Sequence, residues 1–280
     1  MIELIVIDID GTLLNSDLEI GEKSLKAIGE SRKRGVKITF ATGRQIAACR
    51  RYAEQLGIDI PIIALNGSVL KGIYDCEMIE RKPLPDNVVQ EILPLLKDTK
   101  ATVIAINSDH TMAWNLTEKM KIPFSSWLYG ISVIKPDELE YPLDWIMVGG
   151  SEKDVQSTAC AIEACKIEKI DVFTWASIRY KPLWYMEIRA KGTNKGTGLY
   201  KLKKMLGIST ENTLVIGDYL NDLSMFKEAG VFAAVSNAHD EVRKVAHHVS
   251  DSSCDNDAVA EIINKFVLEK QVENKNARIV

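Results

Sequence analysis

Long apolar runs, abundant cysteine and a strong excess of one charge are all missing from this 280-residue sequence. No apolar stretch approaches the roughly 18 residues that a membrane-spanning helix requires, and the first residues lack the basic segment and cleavage site of a secretion signal. The formal net charge of −4 and the pI near 5.7 argue against a surface dedicated to nucleic acid. We therefore expect no membrane or nucleic-acid partner, while a local site for a small anion remains compatible with this charge.

The cysteines are few, odd in number and without Cys-x-x-Cys spacing. They are Cys49, Cys76, Cys160, Cys165 and Cys254. This distribution is typical of reduced thiols and not of a disulfide framework, so we predict a cytoplasmic protein. With 46% hydrophobic and 26% charged residues, the composition is that of an ordinary globular chain, long enough for one large domain or two modest ones.

The most informative segment lies near the N-terminus, where an apolar run ends in two aspartates. Residues 4–7 (Leu-Ile-Val-Ile) predict a buried parallel strand, and Asp8 and Asp10 follow it in a turn that contains Gly11 and Thr12. Because ligand sites in open α/β sheets form at the carboxyl ends of strands, two carboxylates here predict a site for a hard cation such as Mg²⁺. A turn with no chemistry is the alternative, since Asp and Gly are common turn residues.

Short apolar strands alternate with amphipathic helices in the first and last thirds of the chain, a pattern typical of a parallel α/β sheet. Each predicted strand ends in a polar turn, and these strands span residues 4–7, 36–41, 61–65, 213–216 and 231–235. Because the carboxyl ends of parallel strands meet at one edge, we expect Thr42, Asp218 and the first aspartates to lie together. Lys195 begins a predicted helix, and a lysine at a helix N-terminus favours an anion site.

The middle of the chain departs from this pattern. Two prolines within residues 82–86 indicate a linker, and a helix, a hairpin and further strands are predicted after it. Most of the tryptophans also lie in this region, where packing in a core is favoured over stacking on a ligand. We therefore expect an inserted α+β domain at 83–187, between the two parts, 1–82 and 188–280, of a discontinuous α/β domain.

Four motifs occur in order along the chain: Asp-x-Asp-Gly-Thr-Leu-Leu at 8–14, Ala-Thr-Gly-Arg at 41–44, Asn-Lys-Gly at 194–196 and Gly-Asp-x-x-Asn-Asp-x-x-Met at 217–225. Together they resemble the haloacid dehalogenase superfamily. Within it, the chain resembles the Cof-type branch of sugar-phosphate phosphatases, whose C2-type cap is inserted between the second and third motifs. The resemblance covers the whole chain and implies a Rossmann-like parallel-sheet core with helices on both faces, plus an inserted α+β cap.

The resemblance also implies a catalytic role for four residues. Asp8 would be the nucleophile that forms an aspartyl-phosphate. Asp10 would protonate the leaving alkoxide and then deprotonate the water that hydrolyses the intermediate. Thr42 would hydrogen-bond a phosphoryl oxygen, and Lys195 would offset the charge of both the phosphoryl group and Asp8.

A magnesium ion is the cofactor that the resemblance implies. Its ligands would be a carboxylate oxygen of Asp8, the main-chain carbonyl of Asp10 and a carboxylate oxygen of Asp218. Asp222 would have a supporting role, orienting either Lys195 or a water molecule bound to the metal.

Substrate contacts are expected from a further group of residues. Gly43, Arg44 and Asn221 would join Thr42 and Lys195 in binding the substrate, and Asn221 would contact its phosphate. For Arg44, an ion pair at the start of a helix is an equal alternative. Asn66 follows the third predicted strand, where a structural turn is favoured over direct catalysis.

The function expected from these residues is Mg²⁺-dependent hydrolysis of small phosphomonoesters, with sugar phosphates foremost. A phosphomutase or phosphotransferase on the same scaffold would pass the phosphoryl group to another hydroxyl instead. A non-catalytic protein that binds phosphorylated metabolites is the third alternative, although such a protein would be expected to lose Asp8 or Asp10. We expect a small phosphorylated metabolite as the partner and a monomer or a homodimer as the assembly.

Overall fold

The computed structural model describes residues 1–74, 78–107, 110–125, 127–177 and 179–269, so Cys76 lies outside the described residues. The chain divides into two compact units. Unit 1 consists of Met1–Thr42, Arg50–Ile79 and Asn194–Val280, and unit 2 consists of Gly43–Cys49 and Glu80–Thr193.

The strands and helices of the described residues are as follows. The strands are β1 (Leu4–Ile7), β2 (Lys37–Phe40), β3 (Ile62–Ala64), β4 (Val69–Lys71), β5 (Met78–Arg81), β6 (Thr102–Asn107), β7 (His110–Trp114), β8 (Ile131–Val133), β9 (Trp145–Gly150), β10 (Ile170–Ala176), β11 (Trp184–Ala190), β12 (Thr213–Gly217), β13 (Val231–Ala234) and β14 (His248–Val249). The α-helices are α1 (Glu22–Lys33), α2 (Ile46–Leu56), α3 (Asp86–Asp98), α4 (Glu118–Ser125), α5 (Glu152–Ala164), α6 (Lys195–Leu206), α7 (Asp240–Val245) and α8 (Ala258–Ile263).

A five-stranded parallel sheet with the order β14-β13-β12-β1-β2 forms the centre of unit 1. The inner strand β1, which lies between β12 and β2, is an unbroken apolar run that is fully buried, as expected for a strand covered on both faces. Ile7, the last residue of β1, pairs with Phe40 on one side and with Ile216 on the other. The residues that follow these three therefore leave the sheet at the same edge. The predicted α/β fold with a Rossmann-like parallel sheet is confirmed.

The third predicted strand differs from the expectation. β3 forms a separate three-stranded sheet with β4 and β5, in which it pairs antiparallel with β4. Its parallel contact with β2 is a single bridge between Ala41 and Ile63, just beyond the end of β2. The reason is local: left-handed backbone at Leu65–Gly67 turns the chain back after β3.

In the segment after β12, Leu220–Glu228 forms a 3₁₀ helix and not an α-helix. The tight turn before it is stabilised by the Asp222 carboxylate, which accepts hydrogen bonds from the main-chain N–H groups of Asp218 and Tyr219 at 2.9 and 3.0 Å. A carboxylate that satisfies neighbouring N–H groups competes with regular helical hydrogen bonding.

Unit 2 is built on a six-stranded sheet with the order β10-β11-β9-β6-β7-β8, in which every neighbouring pair except β7–β8 is antiparallel. Helices α3 and α5 pack on one face and form an apolar core with it. Trp114 lies in this core, as expected. Trp127 and Trp175 instead contact the ring of Tyr185, at centroid distances of 5.3 and 5.7 Å. Because Tyr185 alternates with the core residue Met186 along β11, this ring cluster lies on the opposite face of the sheet.

The long segment of unit 2 begins after Ile79 and ends at Thr193. The expected boundaries of the inserted domain were 82/83 and 187/188. The later boundary has a clear cause, because β11 runs to Ala190 as part of the sheet of unit 2. Gly43–Cys49 also groups with unit 2, which the sequence pattern did not indicate. The roles of catalytic core and cap stay predictions.

Two further expectations concern membranes and thiols. Among the described residues, none of the helices has the length and apolar character needed to cross a bilayer. No disulfide joins any of the cysteines in the described part of the chain. The cytoplasmic location stays a prediction.

A buried ammonium group joins the end of α6 to the 3₁₀ helix and generates a stability prediction. Lys203 donates to Thr210 Oγ1 and to the Glu228 carbonyl, both at 2.7 Å, and pairs with the Glu228 carboxylate at 2.9 Å. Lys203→Ala should lower the free energy of unfolding by about 2 kcal/mol, because the partners of the buried ammonium group would lose their hydrogen bonds and ion pair. Urea unfolding measures this loss. The exposed Lys204 on the same helix provides the control, since Lys204→Ala should change the value by less than about 0.5 kcal/mol. Equal losses in both variants would contradict the prediction.

Candidate active site

Two aspartates meet at the carboxyl edge of the parallel sheet. Asp8 follows β1 and Asp218 follows β12; because Ile7 pairs with Ile216, Asp8 lies opposite Gly217, and Asp218 is the next residue. Gly11 permits this approach: its φ is +82°, and a Cβ atom there would lie 2.5 Å from Asp218 Oδ2. Thr12, for which the sequence suggested no role of its own, donates its hydroxyl to Asp218 Oδ1 at 2.8 Å. The turn after β1 therefore both admits and orients the Asp218 carboxylate.

Lys195 reaches this edge from the first turn of α6. The helix begins with a capping box, in which the Asn194 side chain accepts from Thr197 N at 2.9 Å and Thr197 Oγ1 accepts from Asn194 N at 3.1 Å. From this fixed start, Lys195 Nζ donates to Asp8 Oδ1 at 2.5 Å and to Asp222 Oδ1 at 2.7 Å. Only 1% of the Lys195 side chain is exposed, so the ammonium group is enclosed between two carboxylates.

Asp222 is fully buried, and its carboxylate is occupied by donors. Oδ1 accepts from Lys195, and Oδ2 accepts from the N–H groups of Asp218 and Tyr219. Such a carboxylate is held rigidly and can orient the ammonium group that it contacts. The geometry fits the supporting role expected for Asp222 toward Lys195.

The electrostatics of the cluster follow from one buried cation among several buried carboxylates. Burial raises the pKa of Asp8 to about 7; Lys195 opposes this shift, while the charges of Asp222 and Asp10 add to it. Desolvation, together with the charges of Asp8 and Asp222, also raises the pKa of Asp218 well above its ordinary value. Burial alone would lower the pKa of Lys195, but the two carboxylates beside it outweigh burial and raise it. The cluster thus carries more negative charge than Lys195 offsets.

A divalent cation would supply the missing positive charge. Carboxylate oxygens of Asp8, Asp218 and Asp222 lie within 4.8 Å of one another, and oxygen donors of this kind suit Mg²⁺. Because Asp222 is already occupied by hydrogen bonds, Asp8 and Asp218 fit the role of ligands better. Asp10, the third expected ligand, lies two residues beyond Asp8 at a bridge to Leu14 and is partly buried. The donor set therefore fits the expected magnesium site.

Two of the residues expected to bind substrate, Thr42 and Asn221, belong to unit 1. Thr42 is buried beyond β2, where its N–H donates to Ile63 O at 2.8 Å. Asn221 Nδ2 donates to Asn66 Oδ1 at 3.0 Å. Gly43 and Arg44 belong to unit 2, where Arg44 is buried, and their substrate contacts stay predictions.

Two residues near these motifs connect the segments of the site in ways that the sequence only partly indicated. Ser224 accepts from Gly196 N at 3.0 Å and donates to Asn221 O at 3.0 Å, which joins the start of α6 to the 3₁₀ helix. Asn237 follows β13. Its Nδ2 donates to Gly11 O at 2.8 Å, so it holds the turn after β1. Such partners depend on the packing of distant segments and leave little signal in the sequence.

This chain is similar to several known proteins. A family model described as haloacid dehalogenase-like hydrolase matches residues 5–263. The 5-amino-6-(5-phospho-D-ribitylamino)uracil phosphatase YcsE of Bacillus subtilis is 31% identical over 272 residues, covering 95% of this chain and 96% of that protein. The HMP-PP phosphatase of Escherichia fergusonii is 27% identical, with coverage of 95% and 96%. A crystal structure of a haloacid dehalogenase-like hydrolase from Bacteroides thetaiotaomicron has a TM-score of 0.84 at 25% identity and covers 95% of this chain and 99% of that one.

The excess negative charge generates a prediction about Mg²⁺ that needs no assay of activity. Without metal, Asp218→Asn should raise the melting temperature by about 2–4 °C, because it removes a desolvated charge that repels Asp8. With millimolar Mg²⁺, the wild-type protein should gain stability and the variant should gain much less. Thermal unfolding with Mg²⁺ and with excess chelator measures both effects. Asp17→Asn at an exposed position is the control, and it should respond to Mg²⁺ like the wild type. A full Mg²⁺ response in Asp218→Asn would contradict the ligand assignment.

Proposed function

Because this chain belongs to the haloacid dehalogenase-like hydrolases and is a phosphatase, we propose that it hydrolyses small phosphomonoesters through an aspartyl-phosphate at Asp8. The observation that carries the proposal is the buried Lys195 ammonium group between Asp8 and Asp222. A lysine fixed against a carboxylate at the edge of a parallel sheet can keep that carboxylate ionised and also offset the charge of an incoming phosphoryl group.

The first step is attack on phosphorus by the Asp8 oxygen that Lys195 does not hold. The new bond joins this oxygen to phosphorus, and the bond between phosphorus and the ester oxygen breaks. Asp10 gives its proton to the leaving alkoxide as a general acid. Thr42 donates its hydroxyl hydrogen to a phosphoryl oxygen, and Lys195 offsets the charge that accumulates there.

The second step is hydrolysis of the aspartyl-phosphate. Asp10, now ionised, takes a proton from water as the water attacks phosphorus, and Asp8 leaves as a carboxylate. Asp222 keeps the Lys195 ammonium group in place through both steps. A magnesium ion held by Asp8, the Asp10 carbonyl and Asp218 would neutralise phosphoryl charge and orient the phosphoryl group.

Sugar phosphates are the substrate class that we propose first. A second class consists of phosphates that carry a planar heterocycle, as in the name of the Bacillus subtilis relative. The partly buried rings of Trp127 and Trp175 favour this class, because they lie on the face of the unit 2 sheet opposite the apolar core, against the fully buried Tyr185. Aromatic side chains in such a position suit stacking on a flat ring.

Phosphate release from a panel of compounds tests the proposed function. We expect release from several small phosphomonoesters in Mg²⁺ and none in excess chelator. Faster turnover of sugar phosphates than of flavin mononucleotide would support the first substrate class, and the reverse would support the second. Relocation of phosphate on a sugar without release of inorganic phosphate would contradict hydrolysis and indicate a mutase.

The role of Asp8 has its own test. Asp8→Asn should lower kcat by at least about 10³-fold, because an amide cannot act as the nucleophile. Rapid acid quench of wild-type protein with a ³²P-labelled substrate should trap a label that hydroxylamine releases, as an acyl phosphate requires. Asp17→Asn, at an exposed position, should retain both turnover and label. Turnover by Asp8→Asn close to the wild-type rate would exclude the aspartyl-phosphate at this residue.

A further inference from the structure

Three consecutive residues after β3 have left-handed backbone: Leu65, Asn66 and Gly67, with φ values of 46°, 52° and 95°. This conformation is unfavourable for leucine, tolerated by asparagine and easy for glycine. The turn fits closely against the segment before α6, since a Cβ atom at Gly67 would lie 2.2 Å from Asn194 O. Strained backbone of this kind persists only where the surrounding structure holds it, and it is concentrated at functional sites.

Asn66 connects two phosphate-binding segments that are far apart in the sequence. Its main-chain N–H donates to Thr42 O at 2.9 Å, and its side-chain Oδ1 accepts from Asn221 Nδ2 at 3.0 Å. The residue is buried, with 6% of its surface exposed. One buried residue therefore fixes the main chain of Thr42 and the side-chain amide of Asn221 at the same time.

The hydrogen bond to Asn66 determines the orientation of the Asn221 amide. An amide nitrogen carries two hydrogens, and one of those on Asn221 Nδ2 is directed to Asn66 Oδ1. The second hydrogen is then held in a fixed direction in the amide plane and is available to a phosphoryl oxygen. Without Asn66 Oδ1, the Asn221 side chain would lose this restraint. Its amide would then have to lose conformational entropy when it binds the phosphoryl group.

The conformation of the turn does not by itself require an asparagine. Glycine adopts the same left-handed backbone and keeps the N–H that donates to Thr42. What asparagine adds is the Oδ1 acceptor that faces Asn221. We propose that Asn66 is a positioning residue, which aligns the Asn221 amide and the Thr42 main chain toward the phosphoryl group. This proposal rests on the proposed function.

Asn66→Gly tests the side chain separately from the turn, because glycine adopts the same left-handed backbone. We expect kcat/KM for p-nitrophenyl phosphate to fall about tenfold, with most of the change in kcat. Inhibition by orthovanadate, which when bound resembles the pentacoordinate phosphorus of the transition state, should weaken by a similar factor. A residue that served only the turn would leave kcat and vanadate inhibition unchanged in a folded variant.

A double-mutant cycle with Asn221→Ala tests whether Asn66 acts through Asn221. The double variant Asn66→Gly/Asn221→Ala should be no slower than Asn221→Ala alone, because each substitution removes the same interaction. The matched control is Asn115→Gly, since Asn115 in unit 2 also has left-handed backbone, with a φ of 53°. That substitution should leave the kinetics of p-nitrophenyl phosphate hydrolysis unchanged.

Each outcome decides one of the two proposals. Wild-type protein that releases no phosphate from any compound would overturn the proposed function. Active wild-type protein with an equally active Asn66→Gly variant, or additive losses in the cycle, would overturn the role of Asn66. Should Asn66→Gly fail to fold, Asn66→Ala also removes the acceptor and takes its place in the cycle with Asn221→Ala. Losses that are additive in that cycle would overturn the proposal.

Discussion

One buried ammonium group, that of Lys195, is the interaction on which the site depends. It lies between Asp8 and Asp222, at 2.5 and 2.7 Å, and thereby joins the end of β1, the start of α6 and the 3₁₀ helix. Burial and mutual repulsion work against ionised carboxylates in this cluster. The lysine reduces this cost for the groups that it contacts, and the excess charge that remains is what a divalent cation can offset. The excess of negative charge that destabilises the fold therefore also favours binding of a divalent cation at this site.

Three aspartates in this cluster differ in chemistry because they differ in hydrogen bonding. Asp222 accepts from three donors, which makes it a rigid support. Asp218 is oriented by the Thr12 hydroxyl, and Asp8 by Lys195 through one of its oxygens. These differences support the roles proposed for them, which are support for Asp222, metal ligation for Asp218 and nucleophilic attack for Asp8. The residue type alone does not distinguish these roles, and the neighbouring donors do.

The sequence predicted the fold class and the motif-bearing turns well, because the apolar period and the polar strand ends are local signals. It could not predict the turn after β3, since nothing about a leucine at position 65 indicates left-handed backbone. The contact between Asn66 and Asn221 spans 155 positions and depends on that turn. The sequence favoured core packing for the tryptophans, but it could not predict on which face of the sheet each would lie, because that depends on which helices pack on each face. The roles of the site residues remain predictions that experiment has to test.

The assignment of Gly43–Cys49 to unit 2 has a consequence for protein engineering. The chain passes between the units after Thr42, Cys49, Ile79 and Thr193, so the second unit is not one continuous insertion. In a chimera that exchanges only residues 80–193 with a relative, the two segments of unit 2 would come from different proteins, because residues 43–49 would not be exchanged. Recombination among members of this family should therefore transfer the two segments together, and the short one should coevolve with the long one.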